Sequence, residues 1–68
     1  MKFKKLPEAA WFLVVDGSRN AAFRKEAGQI TRCHDGAVVT DLFRENEYVI
    51  VIDHEEAILR TRAYRRGE

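Results

Sequence analysis

The sequence predicts an all-β or β-rich domain, a small antiparallel β-meander of five to six strands that is curled or barrel-like. Two observations support this fold class. Polar turn signals recur about every nine to ten residues, a spacing typical of short strands joined by tight connections. The segments between the turns are rich in β-branched and aromatic residues, which favour strands.

Five polar turns divide the chain. The pair Asp35-Gly36 favours the positive φ angles of a hairpin turn. Three of the others combine glycine or asparagine with charged residues, which are common where a chain reverses, and the last, at 53–56, is a run of polar and charged residues. The turns cover residues 16–20, 26–29, 35–36, 44–47 and 53–56.

Six candidate strands lie between and around these turns. The first, Trp-Phe-Leu-Val-Val at 11–15, is apolar throughout, and Tyr-Val-Ile-Val-Ile at 48–52 is the strongest strand signal in the chain. Residues 18–27 fit a strand or a helix almost equally well. The predicted strands are 11–15, 21–25, 30–34, 37–43, 48–52 and 57–65.

The last segment has a competing interpretation. Alternation places Ala57, Leu59, Thr61 and Ala63 on one side of a strand. However, 53–56 matches an Asp-x-x-Glu capping box, and a glycine follows the segment at position 67. The alternative fold is therefore α+β with a C-terminal helix over 54–66.

The segments 11–15 and 48–52 are apolar on both faces. Strands of that composition are buried on both sides, and one layer of sheet cannot cover both faces in a chain of 68 residues. Either the sheet curls into a tight barrel with a helix or tail across it, or a second copy covers it. The only cysteine cannot form an internal disulfide, and association is a common source of stability at this size. We therefore expect a homo-oligomer or a permanent protein partner.

Charge is balanced in total but segregated along the chain. The net charge is +1, made up of +4 over residues 1–33, −6 over 34–56 and +3 over 57–68. In a closed meander the first and last strands are neighbours, which would unite both basic segments into one patch. Such a bipolar surface orients a partner more than it supplies affinity.

The clearest candidate site is the C-terminal segment read as a strand. Its alternation places three arginines and a tyrosine on one face, where they could contact an acidic protein surface. Trp11 and Tyr48 are the aromatic candidates for the same interface. The predicted partner-binding residues are Arg60, Arg62, Tyr64, Arg66, Trp11 and Tyr48.

Nucleic acid is the alternative partner. Arginines alternating with an aromatic residue can follow a phosphate backbone and stack a base, although the isoelectric point of about 7.9 lies below the value above 9 typical of such domains. On this hypothesis the chain is a small nucleic-acid-binding β-barrel. Its binding residues would be Lys2, Lys4, Lys5, Arg60, Arg62 and Arg65.

No motif indicates catalysis. Cys33 and His34 are adjacent, so they point to opposite sides of a strand and do not form a ligand set for zinc. We expect a non-enzymatic binding module, a self-assembling subunit or a small adaptor or inhibitor, that takes no cofactor, metal, membrane or small-molecule substrate. We expect residues 1–68 to form a single cytoplasmic domain, with 1–8 as a flexible basic arm.

Overall fold

A computed structural model describes residues 1–14 and 21–67 of the chain. The predicted turn at 16–20 lies outside them. Four strands, one α-helix and two short 3-10 helices make up the described part. The strands are β1 (Trp11–Val14), β2 (Phe23–Glu26), β3 (Gln29–Arg32) and β4 (Val49–Ile52), the helix is α1 (His54–Arg65), and the 3-10 helices span Phe3–Lys5 and Thr40–Leu42.

The strands form one antiparallel sheet in the order β3-β2-β1-β4. Trp11 lies opposite both Arg24 on β2 and Ile52 on β4. β3 and β4 are the two outer strands, and in the described residues they do not pair with each other. The prediction of a closed or curled all-β meander is therefore wrong, and the fold is α+β with an open four-strand sheet.

Two of the six predicted strands are not strands in the structure. Residues 37–43 contain the 3-10 helix Thr40–Leu42 and a single bridge from Val38 to Thr31. Residues 57–65 belong to α1. The helix that the alternative interpretation placed at 54–66 is present.

Local sequence explains why α1 forms. The Asp53 carboxylate accepts a hydrogen bond from the Glu56 N–H at 2.8 Å, an N-cap that contributes about 1 kcal/mol to helix stability. Glu55 follows in the first turn and Arg65 lies in the last, where each charge complements the helix dipole. Gly67, with φ of +81°, follows the C-terminus.

Alternation misled the strand prediction because α1 buries a narrow stripe. Ala57 is its one fully buried residue, whereas Ile58 and Leu59 are exposed. Apolar residues therefore occur on several sides of the helix and do not mark a single face at helical spacing. The capping signals were the better indicator.

The hairpin between β2 and β3 shows how a distant residue stabilises a turn. Ala27 and Gly28 both have positive φ angles, of 52° and 76°, as expected for a two-residue hairpin loop. Their N–H groups donate to the carboxylate of Glu8 at 2.7 and 3.2 Å. Glu8 thereby connects the N-terminal segment to the far end of the sheet.

The sheet has a core on each face. On one face Phe12 contacts an aromatic cluster, and Leu6 from the N-terminal segment is buried in the same core. On the other face Leu13 and Ala22 pack against Ala57 of α1. The phenylalanines of the aromatic cluster are Phe3, Phe12, Phe23 and Phe43.

Candidate functional site

The helix separates the predicted arginine array into two groups. Successive residues turn by about 100° around an α-helix, so Arg60 and Tyr64 lie on one side and Arg62 and Arg66 on the other. Arg60 is already paired, its Nε donating to Glu56 at 3.1 Å. The single-faced array required extended backbone, and that prediction is wrong because the segment is helical.

The C-terminal end of α1 is held against the turn that follows β3. The Tyr64 ring stacks on His34 with 4.0 Å between centroids. Arg65 donates from Nε and Nη2 to the His34 carbonyl oxygen at 3.2 and 3.0 Å. These contacts position the helix on the sheet, so they give Tyr64 and Arg65 a structural role.

The turn itself is fixed by a bidentate ion pair. Arg32 donates to both carboxylate oxygens of Asp35, with the shortest contact at 2.6 Å, and the Ala37 N–H donates to the same carboxylate. These hydrogen bonds hold the pKa of Asp35 well below its usual range. The Asp35 hydrogen bond also raises the pKa of Arg32.

The N-terminal lysines lie at the opposite edge of the sheet. Lys2 forms an antiparallel bridge with Tyr48, and the Lys4 N–H donates to the Glu45 carbonyl at 3.0 Å. His34, whose carbonyl oxygen accepts hydrogen bonds from Arg65, follows β3 at the other edge. The sheet is open, so the predicted union of the two basic segments does not occur.

Trp11 is engaged inside the molecule. Its ring lies 4.9 Å from the His54 ring, and the Arg24 guanidinium carbon is 4.7 Å from the Trp11 ring centroid. Arg24 also pairs with Glu26 at 3.1 Å. These contacts stabilise the start of β1 against α1 and β2, and they occupy the indole that the sequence offered as an interface anchor.

A shallow groove of about 380 Å³ lies beside Trp11 and is lined mostly by residues of β2, β3 and the turn between them. Arg24, Thr31 and Cys33 contribute to its walls. Burial raises the pKa of the Cys33 thiol, which disfavours the nucleophilic thiolate at neutral pH. The groove therefore offers polar side chains without an activated nucleophile.

Three exposed apolar side chains lie on and beside β4. Tyr48, Ile50 and Val51 are 58, 50 and 45% exposed, and we call these three the β4 edge surface. By register Tyr48 and Ile50 share the helix-bearing face with Leu13, while Val51 shares the opposite face with Phe12. The surface thus wraps around the sheet edge. Tyr48 is one of the residues predicted from the sequence to bind a partner, and the two-sided apolar pattern of 48–52 indicates the other two.

The two edges of the sheet differ in how they are covered. β3 is flanked by residues 37–40, with hydrogen bonds from Arg32 N–H to Ala37 O at 2.9 Å and from Val39 N–H to Ile30 O at 2.8 Å. At β4, Val49 exchanges hydrogen bonds with Met1. In the described residues no strand covers β4 beyond that point, next to Val51.

Comparison with protein families, with curated proteins and with solved structures finds no match. Within residues 1–14 and 21–67, no group of three or more His, Cys, Asp or Glu side chains is placed to hold a metal ion. No helix in those ranges has the length and apolar character needed to cross a bilayer.

Proposed function

We propose that this chain is a small non-enzymatic binding module that acts through protein–protein contacts, with the β4 edge surface as its docking site. The observation that supports this most strongly is the contrast between the two sheet edges. Residues 37–40 cover β3, whereas β4 is open beside Val51 and has half-exposed apolar side chains on both faces.

The composition of β4 fits a docking edge. Strands at the exposed edge of a sheet are usually protected from pairing with other chains by a charged residue or a proline. Val49–Ile52 contains neither. Covering the exposed halves of Tyr48, Ile50 and Val51 contributes roughly 2–4 kcal/mol per chain. That free energy favours association without requiring any rearrangement of the buried core.

A charged substitution in the β4 edge surface tests whether it is the docking site. Val51→Lys places an ammonium group on the β4 edge surface, beside the open backbone of the strand, and we expect association to weaken about tenfold or more because the group must be desolvated on contact. The readout is assembled mass by analytical ultracentrifugation of the pure chain, together with retention of proteins from host lysate.

The matched control is Val38→Lys, which adds the same charge to an exposed residue beside β3 at the other edge. It should leave association unchanged, and far-UV circular dichroism should show both variants folded. The proposal fails if neither self-association nor any retained protein depends on Val51.

A further inference from the structure

We infer that the occupant of the β4 edge surface is a second copy of this chain, arranged antiparallel about a two-fold axis near Val51. This inference rests on the proposed function and specifies its partner. A two-fold interface is self-complementary: if one residue of the first copy contacts a second residue of the other copy, the same contact occurs again with the two copies exchanged. The charges at the two ends of β4 satisfy that requirement.

One end of β4 is lined by lysines. Lys2 lies on the outer side of the chain at Tyr48, and Lys4 and Lys5 follow in the first 3-10 helix. The glutamates at this end are Glu45 and Glu47, one fewer than the lysines. In the described part of the chain, the ammonium groups of these lysines have no ion-pair partner.

The other end of β4 is acidic. Asp53 follows the strand directly and caps α1, and Glu55 is an exposed residue in the first turn of the helix. Within the described ranges, Glu55 has no ion-pair or hydrogen-bonding partner for its side chain. Glu56, by contrast, is neutralised by Arg60.

Antiparallel docking matches these ends. Lys2 is level with Tyr48, five strand positions from Asp53, a separation of about 17 Å along β4. An axis near Val51 lies midway between position 48 and the start of α1. It brings the lysine end of each copy to the acidic end of the other, twice per dimer. A parallel arrangement would instead place like charges together, which opposes association.

The arrangement also closes. The two open edges cover each other, so a dimer leaves no β4 edge for a third copy. Because Met1 already bonds to the outer side of Val49, the contact is made mainly by side chains and by the backbone near Val51. Each copy covers the other's β4 edge surface, which adds apolar burial to a thin core.

A charge-swap experiment tests this arrangement. Lys2→Glu and Glu55→Lys each create two like-charge contacts in a homodimer, and we expect each variant alone to self-associate about tenfold more weakly than the native chain. An equimolar mixture of the two variants restores both opposite-charge contacts. Its association constant, measured by sedimentation equilibrium, should therefore return to near the native value.

Several outcomes would overturn the inference. If either single variant associates like the native chain, or the mixture stays as weak as its components, the antiparallel arrangement is wrong. If the native chain stays monomeric while a host protein is retained in a Val51-dependent way, the second copy is the wrong partner and the proposed function stands. Circular dichroism checks folding. Should the lysine disturb the helix, Glu55→Gln replaces Glu55→Lys in the single-variant measurement only, where a smaller loss is expected.

Discussion

Replacing Phe12 by alanine is expected to lower the free energy of unfolding by about 3–5 kcal/mol, the usual loss for a buried phenylalanine. Phe12 is 0% exposed, and its ring lies between 5.5 and 6.2 Å from those of Phe43, Phe23 and Phe3. Truncation therefore removes contacts to three separate segments of the chain at once and leaves a cavity in the core.

The stability lost in Phe12→Ala is large relative to the total free energy of unfolding. A chain of this length has a total stability of about 3–10 kcal/mol, so Phe12→Ala should leave a substantial unfolded fraction at 25 °C. Urea denaturation followed by circular dichroism measures the effect. Leu42→Ala is the control, since Leu42 is 67% exposed and its loss should change stability by less than about 0.5 kcal/mol. Equal effects of the two substitutions would contradict the packing described for this core.

Enlarging Ala57 to leucine is expected to destabilise the fold by about 1–3 kcal/mol, because it overfills a closely packed contact. Ala57 is the point at which α1 meets the sheet, and it is buried against Leu13 and Ala22. The added methyl groups would push the helix away from β1 and strain the stacking of Tyr64 on His34.

Leu59→Ala is the matched control for the helix. Leu59 is 59% exposed, and alanine is a stronger helix former than leucine. The free energy of unfolding of the variant should therefore lie within about 0.5 kcal/mol of that of the native chain. Thermal and urea unfolding of both variants separate a packing effect from a change in helix propensity. An Ala57→Leu chain as stable as the native one would mean that α1 does not pack here.

The elements with unambiguous local signals are predictable from the sequence. The apolar segments 11–15 and 48–52 contain β1 and β4, and the 26–29 turn connects β2 and β3. The fold class was wrong because the C-terminal segment satisfies two patterns at once. Its alternation fits a strand, while Asp53 and Gly67 define the ends of a helix, and only tertiary packing of Ala57 decides between them.

The candidate site was likewise predictable only where local sequence determines the structure. Tyr48 and the two-sided apolar pattern of its segment follow from local sequence, and they mark the β4 edge surface. The arginine array depended on the backbone conformation of 57–65 and was lost with it. The pairing of Met1 and Lys2 with β4 joins residues 46 or more positions apart, and no local pattern indicates such a contact.

The most direct test of the central claim is the set of intermolecular contacts in a mixture of isotope-labelled and unlabelled chains, measured by isotope-filtered NOE spectroscopy at millimolar concentration. We predict contacts between the Val51 methyl groups of the two copies, with Lys2 of each copy close to Glu55 of the other. Intermolecular contacts at Val38 and Leu42, or none at all, would contradict the claim that two copies meet across β4.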